Sequence, residues 1–86
     1  MRVIVAGRVQ GVFFRASCAR RAREARAGGF VRNLPDGRVE AAFEGPDGVV
    51  DRLVEWCRLG PDLAHVDEVE IIDEAVLGET TFRVEG

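Results

Sequence analysis

The stretch Val3-Ile4-Val5-Ala6-Gly7-Arg8-Val9-Gln10-Gly11-Val12-Phe13-Phe14-Arg15, continued by Cys18, Ala22 and Ala25, decides how the chain folds. Residues 3–6 are short, apolar and rich in β-branched side chains, the pattern of a buried central strand. Gly7 ends that strand, and a glycine-punctuated loop over residues 7–12 follows. Phe14, Cys18, Ala22 and Ala25 then recur at spacings of 4, 4 and 3. That is one face of a helix, with Ala and Arg filling the remaining positions as good helix formers. Gly28-Gly29 is expected to stop it.

Working outward, residues 30–33 and 39–44 read as two strands. The second alternates Val39, Ala41 and Phe43 inward with Glu40, Ala42 and Glu44 outward. Pro35-Asp36-Gly37 joins them as a short hairpin loop with a bulge, because Pro presets φ at its position and Gly accepts φ > 0. Gly45-Pro46-Asp47 opens a second helix, with Pro in the first turn and Asp at the positive helix end. Its apolar stripe is Val50, Leu53, Val54 and Cys57, and Gly60-Pro61 terminates it. Residues 66–72 read as a strand with Val69 and Ile71 on one face, and residues 81–84 as a short edge strand. The order is β-α-β-β-α-β plus that edge strand. It implies an α+β fold, the ferredoxin-like sandwich, with an antiparallel sheet and both helices on one face.

Composition bounds the function. At 86 residues the chain is expected to be one domain, residues 1–86. No apolar run approaches the roughly 18–20 residues of a membrane helix, and the start is too short for a secretory signal. A cytoplasmic protein without a membrane partner is the expectation. Two cysteines and one histidine are too few for a closed zinc site, so no metal is expected. Cys18 and Cys57 read as buried free thiols between helices and sheet. His65 reads as a surface or structural residue.

All twelve positive charges are Arg, and there is no Lys or Tyr. Residues 1–38 carry nine Arg against Glu24 and Asp36, a net +7, whereas residues 39–86 sum to −10. A basic half suits an anionic ligand, either a small phosphate ester or a nucleic acid. Arg20, Arg21, Arg23 and Arg26 read equally well as a solvated helix face. The loop from Gly7 to Arg15 is a candidate anion site. Two glycines let successive N–H groups point inward, and the loop runs into a helix N-terminus. Arg15 stands where the helix begins, so its planar fork can reach the same anion. On its own such a loop serves equally as a plain turn, and it lacks the Gly-Lys-Ser/Thr of a nucleotide-binding P-loop. Asn33 and Gln10 are the only carboxamides in the chain. Asn33 ends a strand beside a turn; its amide both donates and accepts, so it can hold a water in a set orientation.

At these residues the chain resembles the acylphosphatases. The stretch Val5-Ala6-Gly7-Arg8-Val9-Gln10-Gly11-Val12-Phe13-Phe14-Arg15 is similar to their first signature. Gly29-Phe30-Val31-Arg32-Asn33-Leu34-Pro35-Asp36-Gly37-Arg38-Val39, closed by Gly45, is similar to their second. The resemblance covers essentially the whole chain. Arg26 departs from it, standing where many relatives have a helix-ending Gly, with Gly28 expected to compensate. Phe30 replaces a frequent Trp.

The resemblance implies hydrolysis of the carboxyl-phosphate anhydride of small acyl phosphates to a carboxylate and inorganic phosphate, without cofactor or metal. It implies that Arg8, Val9, Gln10, Gly11, Val12, Phe13 and Phe14 form the phosphate cradle. Arg15 is implied as the phosphate-binding catalytic arginine and Asn33 as the residue positioning the attacking water. A monomer with no nucleic-acid partner is expected. An RNA-binding module is the rival reading, because this fold hosts such modules. Against it, Phe13, Phe14 and Phe30 fall at element starts and Phe43 points inward, leaving no stacking platform on a central strand. A catalytically idle sensing domain, or an accessory domain of a larger enzyme, is the other rival. The complete Arg15/Asn33 pair favours an enzyme.

Overall fold

The computed structural model describes residues 1–74 and 78–85. Strand β1 (Arg2–Arg8) leads through the glycine loop into helix α1 (Phe14–Glu24). Strands β2 (Gly28–Asn33) and β3 (Val39–Glu44) form the hairpin, followed by helix α2 (Asp47–Leu59). Strand β4 (His65–Ile72) and the short β5 (Phe82–Glu85) complete the order. The sheet runs β4-β1-β3-β2-β5. The four longer strands pair antiparallel, as expected, but β5 lies parallel beside β2, so the whole sheet is mixed. The edge position of the last strand is borne out, one residue later than the sequence suggests.

Strand alternation decides which side chains meet the helices. Val3 and Val5 of β1, Val31 of β2, and Val39, Ala41 and Phe43 of β3 are all buried. They pack against Phe14, Cys18 and Ala22 of α1 and Val50, Leu53, Val54 and Cys57 of α2. Phe14 meets Trp56 with ring centroids 5.1 Å apart, which pins the first turn of α1 to α2. Cys18 and Cys57 are both free thiols, buried and hydrogen-bonded to each other. That hydrogen bond, reinforced by burial, holds the Cys18 thiol well above its ordinary pKa range.

Several boundaries differ from the sequence reading, each for a local reason. Helix α1 does not run to Gly28-Gly29. It closes at Ala25, and Arg26 takes the left-handed conformation at φ 60°. The Ala27 N–H donates to the Ala22 carbonyl at 2.9 Å and the Arg26 N–H to the Arg23 carbonyl at 3.1 Å, the two bonds of a Schellman motif. Arg26 therefore occupies the position glycine prefers, and Gly28 gives no compensation because it already lies in β2. Phe30 is consequently inside a strand rather than at its start, on the sheet face away from the helices. There the guanidinium carbons of Arg32 and Arg83 lie 5.8 and 5.6 Å from its ring centre.

Glu40 also faces away from the helices but is not solvated: it is only 3% exposed. Arg2 Nη1 and Arg32 Nε donate to its two carboxylate oxygens at 2.8 and 2.6 Å, the pairing a buried charge requires. The β2–β3 ladder runs without a break to Asn33/Val39, and beyond it the hairpin closes with the expected bulge: the Gly37 N–H donates to the Leu34 carbonyl at 3.2 Å, the Leu34 N–H to the Arg38 carbonyl at 2.8 Å, and Gly37 is left-handed at φ 96°. A second irregularity lies between β1 and β4 at Ala6/Gly7. A Cβ on Gly7 would lie 2.1 Å from the His65 carbonyl oxygen, so only glycine lets β1 pass this close to β4 while turning into the loop.

Candidate active site

Apart from Phe13, the loop after β1 turns its apolar side chains inward. Val9, Val12 and Phe14 are buried, which anchors the loop on the core and leaves its main chain to shape the surface above. Gly11 at φ 73° and Phe13 at φ 63° are both left-handed, so the chain curls twice before entering α1. Among the described residues, no N–H from residues 9–13 donates to a main-chain carbonyl. Helix α1 has no side-chain cap, and its first main-chain bond is donated by Ser17 to the Phe13 carbonyl. The curled loop and the helix start thus carry main-chain donors whose partial positive charge suits an anion.

Arg15 is the second residue of α1, half-buried, on the same opening. Asn33 is the last residue of β2 and pairs with Val39. It shares strand parity with the buried Val31, so it points to the helix side of the sheet, whereas Arg32 points away to Glu40. Residues 9, 11 and 13–16, Asn33 and Val84 line one cleft of about 350 Å³. Arg15 is the charged side chain among them. Phe13 stands at its rim, 73% exposed.

Not every residue of the expected cradle faces this cleft. Arg8 is the exposed final residue of β1, paired with His65, and belongs to the strand rather than the loop. Val12 is buried beneath the loop. Gln10 directs its side chain to the neighbouring hairpin, donating from Nε2 to the carbonyls of Leu34 at 2.8 Å and Arg38 at 2.9 Å. Val84 went unremarked in the sequence; it arrives only because β5 pairs in parallel with β2, placing Val84 opposite Val31. His65 is nearer the loop than its sequence position suggests, being the cross-strand partner of Arg8. Its side chain is nevertheless exposed, with Nε2 3.1 Å from Asp67, and it does not line the cleft. In the hairpin turn, Asp36 accepts from the Arg38 N–H at 3.1 Å, and that bond holds its carboxyl below the usual range. Among the described residues, no three His, Cys, Asp or Glu side chains are grouped to hold a metal ion, and no helix is long and apolar enough to cross a membrane.

The arrangement brings fixed N–H donors, one guanidinium and one carboxamide to a single cleft. The chain as a whole is similar to known proteins. The acylphosphatase family model matches residues 1–84. An acylphosphatase from Rubrobacter xylanophilus is 58% identical over 78 residues, covering 91% of this chain and 71% of the relative. One from Methylococcus capsulatus is 56% identical over 81 residues, covering 94% and 88%. The crystal structure of acylphosphatase from Bacillus subtilis superposes with a TM-score of 0.93 at 34% identity, covering 99% of this chain and 96% of that one. On the matched family model, these identities and the shared fold, the chain belongs to the acylphosphatase family.

Proposed function

We propose that residues 1–86 act as one acylphosphatase domain that hydrolyses small acyl phosphates in the cytoplasm, as a monomer and without a metal or cofactor. The observation that carries this reading is the convergence of Arg15, Asn33 and the curled loop on one cleft. In this reading the phosphoryl group sits in the loop, held by main-chain N–H groups and by the Arg15 fork. Arg8 and the buried Val12 shape the cradle through the backbone, and Gln10 likewise offers only its main chain to the anion. Asn33 holds a water on the far side of phosphorus from the acyl oxygen. The water oxygen bonds to phosphorus while the bond to the acyl oxygen breaks, and that electron pair leaves on a stable carboxylate. No strong general acid is needed for such a leaving group. The water's proton passes to a phosphate oxygen, since no cleft residue is a credible base.

The transition state is loose, with charge on the peripheral phosphoryl oxygens, so prearranged donors supply most of the rate. Holding the water in line removes part of the entropic barrier. Phe30 is already covered by two guanidinium groups, which supports a reading without a nucleic-acid partner.

The test is hydrolysis of an aryl carboxyl phosphate by wild type and Arg15→Ala side by side, with no added metal and again in excess chelator. Wild type should turn over equally in both conditions. Arg15→Ala should lose roughly 100- to 1,000-fold, the cost of one oxyanion donor. Equal rates for the two proteins, or loss of wild-type activity in chelator, would overturn the proposal.

A further inference from the structure

The Gln10 carboxamide is spent on the hairpin that carries Asn33. Its two acceptors are the carbonyls of Leu34 and Arg38, at 2.8 and 2.9 Å. Both partners are acceptors, so the side chain must present its NH2 group, and both hydrogens are used. Those carbonyls form the neck of the hairpin. Asn33 and Val39 are the last ladder pair, and Leu34 and Arg38 are the next residue on each side. The neck's own bonds are few: the Leu34 N–H donates to the Arg38 carbonyl at 2.8 Å and the Gly37 N–H to the Leu34 carbonyl at 3.2 Å. Gln10 itself lies between Val9 and Gly11, two of the residues lining the cleft. One half-buried side chain therefore joins the anion loop to the strand end that presents Asn33.

Building on the reading of Asn33 as the water-holding residue, we propose that Gln10 is a positioning residue that sets the distance between the phosphate cradle and the Asn33 carboxamide. The two halves of the site lie on different elements, a loop after β1 and the end of β2. β1 and β2 are not neighbours in the sheet, since β3 lies between them. Ladder hydrogen bonds thus do not hold the loop against the end of β2 directly, and the Gln10 amide spans that gap. Misplacing a reacting group by about 1 Å costs on the order of 100-fold. The loss should fall on kcat and spare the affinity for phosphate, because the loop N–H groups and Arg15 remain.

The experiment compares wild type, Gln10→Met, Gln10→Glu, Asn33→Ala and the double variant Gln10→Met/Asn33→Ala. Methionine and glutamate approximate the glutamine shape and cannot donate both bonds. The readouts are kcat, inhibition by inorganic phosphate, and the side-chain amide signals in a nitrogen–proton correlation spectrum. Gln10 and Asn33 are the only carboxamides in the chain, so the Asn33 signal in either Gln10 variant stands alone. Gln10→Met should lower kcat 10- to 100-fold, change the phosphate inhibition constant less than threefold and shift the Asn33 signal. The double variant should be no slower than Asn33→Ala, because the two act through one group.

Wild-type kcat in both Gln10 variants, beside a slow Asn33→Ala, would overturn this proposal alone. So would a kcat loss matched by weaker phosphate inhibition with an unmoved Asn33 signal. An Asn33→Ala protein of undiminished kcat would instead overturn the water-positioning reading, and this proposal with it. Gln10→Glu decides the matter by the same criteria if Gln10→Met does not fold.

Discussion

Replacing Arg26 by glycine relieves the one strained residue at the end of α1. Arg26 sits at φ 60° in the Schellman position, between the Arg26-to-Arg23 and Ala27-to-Ala22 main-chain bonds. A residue bearing a Cβ adopts this conformation at a cost of about 1–2 kcal/mol. Glycine adopts it freely but loses more unfolded-state entropy, about 0.5–1 kcal/mol. The Arg26 side chain is exposed, and among the described residues it makes no hydrogen bond or ion pair that the substitution would remove. The balance is a stabilisation of about 0.5–1 kcal/mol. For a domain this small that corresponds to roughly 3–6 °C in Tm. Urea and thermal unfolding of wild type, Arg26→Gly and Arg26→Ala measure it. Arg26→Ala keeps the Cβ and should stay near wild type, and kcat should be unchanged in both because the cleft lies at the other end of α1. A glycine variant no more stable than the alanine variant would refute the argument, since the gain would then not come from the left-handed backbone.

Arg15→Lys should lose nearly all turnover, because an ammonium cannot reproduce the planar two-pronged contact; a variant keeping most of its kcat would place the anion elsewhere. Asn33→Ala should lower kcat by about 100-fold while inorganic phosphate inhibits as before. A large loss of phosphate inhibition would make Asn33 a ligand of the anion instead. His65→Ala should keep near-wild-type kcat, as its side chain points to solvent beside Asp67; a strong loss would restore a histidine base. The Cys18 pKa is raised in the folded state by its bond to Cys57 and by burial. Its contribution to stability is therefore complete below the unfolded thiol pKa of about 8.5 and declines as pH rises above it. The stability gap between wild type and Cys18→Ala should accordingly narrow from pH 8.5 upward, and a gap that stays constant to pH 11 would contradict the shift.

The elements of this fold were legible because their signals are local. The β-branched run before Gly7, the helical spacing of Phe14, Cys18 and Ala22, and Gly60 after α2 each act over a few residues, where periodicity and turn chemistry dominate. The errors came where a neighbour in space intervenes. Helix α1 ends early at Arg26 because a Schellman bond pair outweighs the missing glycine. Glu40 reads as a solvated strand residue, yet two arginines from flanking strands close over it. Gly7 looks like a strand terminator, while its contact with β4 makes it a bulge within a longer strand.

The sequence alone therefore determined the family, the element order and the two motifs that hold Arg15 and Asn33, since these are properties of residue type and spacing. Tertiary structure decided that Asn33 rather than Arg32 turns to the cleft, because that depends on which face of β2 the helices cover. It also decided that Val84 joins the cleft and that the Gln10 side chain binds the hairpin. Both depend on strands and loops distant in the chain being brought within hydrogen-bonding distance, and no local pattern of residues encodes that.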